Sequence, residues 1–139
     1  MPRRNSREKI LTAALQEFEY HGYSGTSCDL IAKTAGVSKT LLFKYYGSKE
    51  NVLRTLIDKI SADYIEECSF HLQHRKESFE EASGFIFSRM KLRQSTWRFM
   101  ASSSMIPAIR GLFCDFIELV EEYTRAFLTA YNVGQDRQT

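Results

Sequence analysis

Lys39, Thr40, Phe43 and Lys44 fall on one side of a short helical stretch, opposite Leu42 and Tyr46, which stand four apart and can face inward. An aromatic ring set between two lysines is an odd choice for a face that meets only water. It suits a face that meets nucleic acid, because lysine neutralises phosphate charge and the ring packs on sugar or on a thymine methyl. Ser48-Lys49-Glu50 follows at once and opens a further helix.

The elements that must carry this face are written into the stretch from Thr26 to Glu50, which reads as two short helices across a tight turn. Thr26 and Asp29 have the Ser/Thr-x-x-Asp/Glu spacing of a capping box, so the first helix is expected to start at Thr26. Leu30 and Ile31 give it a buried stripe. Gly36 stands after Ala35, where a left-handed residue lets the chain leave a helix sharply. The turn is then Gly36-Val37-Ser38, with Ser38 placed to cap the second helix. Such a pair can lay its second helix in the major groove of DNA.

The rest of the chain supplies a support for that pair. Asn5 and Glu8 cap a first helix whose apolar positions Ile10, Leu11, Ala14, Leu15 and Phe18 keep the helical period, and Gly22 ends it. A fourth helix from near Ser48 carries Val52, Leu53, Leu56, Ile57, Ile60, Tyr64 and Ile65 over about six turns. It is long enough to link two lobes, so that a shift in one reorients the other. After a charged stretch around His74 to Ser78, a fifth helix carries Phe79, Ala82, Phe85, Ile86, Phe87 and Met90. A short sixth is expected from Thr96 to Met105 around Trp97, Phe99 and Met100. The seventh has Pro107 in its first turn. It bears Leu112, Phe113, Phe116, Ile117, Val120, Tyr123, Phe127 and Leu128, and Gly134 with the polar tail from Gln135 ends it. No strand alternation or repeat is present. The expected class is all-α: a three-helix helix-turn-helix domain, residues 1–47, joined by the long helix to a shortened helical effector and dimerisation domain, residues 48–139.

Arg7, Ile10, Leu11, Ala13, Ala14, Leu15, Phe18, Gly22, Tyr23, Thr26, Ser27, Ile31, Ala32, Ala35, Gly36, Val37, Ser38, Leu42, Tyr45, Lys49, Glu50 and Leu53 together resemble the DNA-binding domain of the tetracycline-repressor (TetR) family of bacterial regulators. The resemblance covers about the first 57 residues, with spacing and residue type agreeing over three successive helices. It implies a groove-facing set of Lys39, Thr40, Phe43, Lys44 and Tyr45. It implies a phosphate contact from Lys49 with the amides that open its helix, and another backbone contact from Ser27. Two positions depart from the family pattern. Phe43 stands where tyrosine is common and cannot donate to a phosphate oxygen, and Thr40 stands where glycine or proline is frequent.

The same resemblance implies a repressor that a small-molecule effector releases from its operator. Adaptable methionine and flat rings suit an apolar or aromatic effector, and Trp97, Met100 and Phe116 are the candidate pocket residues. Family members usually continue into two further long helices that pair with those of a second subunit, and this chain stops at Thr139 before them, so a truncated homodimeric regulator is expected. The competing reading is a shortened helix-turn-helix protein that works as a protein-interaction module without effector control.

Composition fits this reading. At 139 residues with 43% apolar and 13% aromatic content, the chain can bury roughly two thirds of its unfolded surface. The net charge of +2 hides an asymmetry: residues 1–59 hold 10 Lys and Arg against 6 Asp and Glu, and residues 60–139 hold 9 against 11. The positive end coincides with the DNA-reading stretch, as attraction to phosphates requires. No run approaches about 18 uninterrupted apolar residues, and no signal-peptide core follows Met-Pro-Arg-Arg, so no membrane partner and a cytoplasmic location are expected. Arg3 and Arg4 belong to a tail. Cys28, Cys68 and Cys114 are odd in number and far apart, as reduced thiols are. Cys68, His71 and His74 make a C-x-x-H-x-x-H run with no fourth ligand nearby, so no metal or other cofactor is expected and the histidines are read as solvated, with Glu67 paired weakly to His71. No phosphate loop, H-E-x-x-H or nucleophile elbow is present, and an enzyme is not expected.

Overall fold

The computed structural model describes residues 5–73, 78–90 and 94–131, and within these the backbone alone at 85–90 and 94–97. Trp97, His74, Arg3, Arg4 and Gly134 therefore lie outside the described side chains. Among the described residues seven helices follow in order: α1 Ser6–His21, α2 Cys28–Ala35, α3 Lys39–Tyr46, α4 Lys49–Gln73, α5 Phe79–Met90, α6 Gln94–Ser103 and α7 Arg110–Ala130. No strand occurs among the described residues.

The boundaries in the first half are set by local chemistry. The Asn5 side chain accepts from the Arg7 amide at 3.1 Å and opens α1, and Gly22, at φ 75°, closes it by donating to the Phe18 carbonyl. Ser38 accepts from the Leu41 amide at 3.1 Å to open α3, and Ser48 accepts from the Asn51 amide at 3.1 Å to open α4. Gly36, at φ 71°, supplies the left-handed step between α2 and α3.

One cap differs from the sequence reading. Ser27, not Thr26, caps α2, accepting from the Leu30 amide at 3.1 Å. Thr26 is buried, and its hydroxyl donates to the carbonyls of Gly22 (2.7 Å) and Glu17 (3.0 Å). The end of α1 leaves carbonyls that need donors, and Thr26 answers them, fixing how the chain leaves α1 and enters α2.

The core runs from the first three helices, α1 to α3 (the head), into α4, α6 and α7 (the body) as one cluster. Ile10, Ala14 and Phe18 of α1, Ile31 of α2, Leu42 of α3, Val52 and Leu53 of α4, Phe99 of α6 and Phe113 of α7 are all buried in it. The Phe18 and Phe99 rings stack with centroids 5.5 Å apart and planes 2° apart, so α6 of the body rests directly on α1 of the head. A second cluster joins α4, α5 and α7 around Cys68, Ala82 and Phe127, with Tyr64, Phe79, Tyr123 and Tyr131 packed against it.

Further down the chain the sequence reading needs correction. His71 is 1% exposed, not solvated. Positions 64, 68 and 71 share one face of α4 at helical spacing, and the Tyr64 and Cys68 face packs on α7, which carries His71 inward with them. Its Nε2 lies 4.0 Å from the Glu67 carboxylate, and its carbonyl accepts from the Tyr131 hydroxyl at 3.5 Å. The sixth helix runs two residues earlier than expected, and Met105 falls outside it and is exposed. Pro107 lies in the turn before α7, whose cap position, Ile109, offers no side-chain hydrogen bond. Ile117, expected on the buried stripe, is 56% exposed, because Phe113, Phe116 and Phe127 define the inward face of α7 and Ile117 is rotated off it.

Candidate nucleic-acid interface

The short helix α3 is held from three sides. Leu42 buries its inner face completely in the core. At its C-terminal end the Tyr46 hydroxyl donates to the Arg7 carbonyl at 3.2 Å, and the Asn51 amide group of α4 donates to the Tyr46 carbonyl at 2.8 Å. The Arg7 guanidinium lies 4.9 Å from the Tyr45 ring centroid, a cation-π contact between the start of α1 and the end of α3. Thr34 of α2 donates to the Glu17 carboxylate of α1 at 3.0 Å, which fixes α2 behind α3.

What this support leaves outward is the face read from the sequence. Thr40 and Lys44 are exposed, and Phe43 is 40% exposed, a large share for a phenylalanine. Lys39 opens α3, exposed, with its ammonium 5.7 Å from the Phe43 ring centroid and 3.1 Å from the Asp29 carboxylate at the start of α2. Tyr45 is half-buried under Arg7, so it offers an edge instead of a whole ring.

Two helix starts flank this face. Ser27 and Ser48 have their hydroxyl oxygens engaged as acceptors by the amides of Leu30 and Asn51, and each hydroxyl proton is left to donate outward, as is useful beside a phosphate oxygen. Lys49 is tied inward: its ammonium donates to the Tyr23 carbonyl at 2.8 Å and lies 4.1 Å from the Tyr23 ring centroid. Burial holds the Lys49 pKa below the usual lysine range. Burial also pushes up the thiol of Cys28, against the opposing pull of Lys49 and Lys39, so this cysteine stays neutral at the start of α2. Of the ammonium groups on this surface, Lys39 is paired and Lys49 is tied to a carbonyl. Lys44 has no ion pair among the described residues.

The sequence reading did not find Arg7 as the brace of α3 or Asp29 as the partner of Lys39. Both contacts join different helices, and neither leaves a periodic trace within one segment.

Residues 10–56 match the family described as bacterial regulatory proteins, tetR family. This stretch of the chain is similar to the DNA-binding part of that family. The regulator RutR of Escherichia coli is 46% identical over 56 residues, a match that takes in 37% of this chain and 26% of that protein. The transcriptional repressor SCO4008 of Streptomyces coelicolor is 34% identical over 58 residues, covering 42% of this chain and 30% of that protein. The matched part thus spans about a quarter to a third of these relatives, and it is the tetR-type head. A regulator of Aquifex aeolicus shares the fold beyond the head, with a TM-score of 0.79 at 20% identity over 94% of this chain and 79% of that one.

The three candidate pocket residues separate. Met100 and Phe116 are buried in the main core with Phe99, Ile109 and Phe113, and the Trp97 side chain is not described. Phe116 also edges an open groove of about 450 Å³ between α4 and α7, with Ile57, Ser61, Ile65 and Leu112 in its wall and Arg54, Asp58 and Asp115 among its charged residues.

Proposed function

We propose that this chain is a transcriptional regulator that places α3 in the major groove of an operator and represses the gene beside it. The observation that carries this reading is the outward face of Thr40, Phe43 and Lys44 on a helix anchored by buried Leu42 and tied down at its C-terminal end, between two serine-capped helix starts. Thr40 and Lys44 read base edges, Phe43 makes apolar contact, and the starts of α2 and α4 with Ser27 and Lys49 sit on phosphates. The similar proteins RutR, a transcriptional regulator, and SCO4008, a transcriptional repressor, support the same reading.

In the finer reading, a small apolar or aromatic molecule taken up among the body helices releases the operator. The stacking of α6 on α1 through Phe99 and Phe18, and the 25 residues of α4, give the body two contacts through which to turn the head. Two copies of the regulator would set their α3 helices about 34 to 36 Å apart on a palindromic site in the cytoplasm. No described helix is long and apolar enough to cross a membrane.

Selection from a pool of random duplexes tests the core of this proposal. Enrichment of one sequence by the wild-type chain, lost in Lys44→Ala, is the expected result. A folded head that enriches nothing would sink the DNA reading and favour the protein-interaction module in its place.

A further inference from the structure

The cation that opens α3 already has a partner before it meets DNA. Lys39 holds its ammonium 3.1 Å from the carboxylate of Asp29, across the turn that separates the two helices, and both side chains remain more than half exposed, at 53% and 69%. Asp29 lies in the first turn of α2, beside the Ser27 cap where a phosphate is expected, and it is the acid of that turn. Its negative charge there has a local use, since an acid in the first turn answers the helix dipole. That use does not require its position against Lys39.

The pairing matters because DNA offers two kinds of partner. Phosphates are the same at every site and give binding without sequence, whereas guanine O6 and N7 are acceptors only where the sequence places them. A lysine free in solvent strengthens both kinds of binding. A lysine paired with a carboxylate is drawn away most readily by an acceptor group placed to replace that carboxylate, at a cost that an exposed pair keeps to about fivefold in affinity or less, and the bared carboxylate then repels any phosphate close to it. Lys44, on the same exposed face without an ion pair among the described residues, has no such restraint.

We infer that Asp29 is a specificity-determining residue, restraining Lys39 so that DNA lacking the matching bases gains one cation fewer than the charge of the surface offers. The inference rests on the DNA-binding reading above and assigns Asp29 a role by way of Lys39, as a positioning residue, without contact to bases of its own.

The experiment measures binding of two labelled duplexes by anisotropy over a salt series: a scrambled duplex, and the duplex that the wild-type chain enriches from a random pool. Asp29→Asn removes the charge and keeps a polar side chain in the first turn, and thermal melting of each variant establishes that it is folded, with Asp29→Ser as the second variant. The expected result is several-fold tighter binding of the scrambled duplex, with a salt dependence steeper by about 0.9 in slope. The enriched duplex gains less, so the ratio between the two falls. In a Lys39→Ala background most of that gain disappears. The same gain in that background would overturn the inference, because Asp29 would then act on phosphates directly, and no gain in either background would overturn it too. A wild-type chain that binds neither duplex at low salt would instead remove the DNA-binding reading on which the inference stands.

Discussion

The ammonium of Lys49 donates to the carbonyl of Tyr23 at 2.8 Å and lies 4.1 Å from the centroid of the same residue's ring. One side chain thus closes the loop after α1 onto the start of α4. An ammonium has three N–H groups, so under the proposed function one side chain would serve both this contact and a phosphate. Lys49→Met keeps the apolar stem and removes the charge. It is expected to lower stability by about 1 kcal/mol, measured by urea unfolding, and to weaken all DNA sequences alike, with a salt slope smaller by about one. Loss of DNA binding with unchanged stability would leave the Tyr23 contact without weight in the fold.

The end of α3 is expected to respond to alkali. Burial raises the Tyr46 pKa above its ordinary value of 10.0, opposed by Arg7, and its hydroxyl donates to the Arg7 carbonyl. The folded chain therefore keeps this proton at pH values where the unfolded chain has begun to lose it. That contribution to stability is complete below the ordinary value and is lost as pH rises through the folded value. Tyr46→Phe should cost about 1 kcal/mol at neutral pH, from the lost hydrogen bond, and should fall off less steeply than wild type in alkali. Unfolding curves at a neutral and an alkaline pH decide this, and parallel curves would show that Tyr46 does not couple the fold to pH.

Gly25 is fixed by a close approach of backbone to backbone. A Cβ there would stand 2.4 Å from the His21 carbonyl oxygen, which cannot swing aside as a side chain would. Gly25→Ala should destabilise by about 2 kcal/mol or more, and the thermal midpoint should drop correspondingly. Gly84→Ala, inside α5 where a Cβ meets nothing within 4 Å, should by contrast raise the midpoint, since alanine is the better helix former. A Gly25→Ala midpoint equal to that of wild type would mean the loop shifts without cost.

These residues mark where the sequence could be read and where it could not. Gly36, Ser38 and the Leu42 and Lys44 faces of α3 were legible because a cap, a left-handed turn and a helical period each act within a few residues. Thr26 was misread because its hydroxyl partners include Glu17, nine residues back, and spacing to Asp29 looked like the stronger claim. His71 was read as solvated because its surroundings come from α7, 60 residues on, where Tyr131 meets its carbonyl. The Lys39 and Asp29 pair and the Arg7 brace likewise depend on how α1, α2 and α3 pack, which no single helical period encodes.

Phe43 tests whether the outer face of α3 reaches the DNA backbone. Its ring is 40% exposed and lies 5.7 Å from the Lys39 ammonium, so a hydroxyl added at its outer edge enters solvent and not the core. Phe43→Tyr should leave stability unchanged within about 0.5 kcal/mol. On DNA, a phenol there gains a donor that the phenyl ring lacks, and a phosphate within its reach should tighten binding by about 1 kcal/mol. Because phosphates are common to all sequences, scrambled and selected duplexes should gain alike, with the ratio between them preserved. A gain confined to the selected duplex would place the ring against a base edge. No gain on either would turn the ring away from the duplex and shift the burden of contact to Thr40 and Lys44.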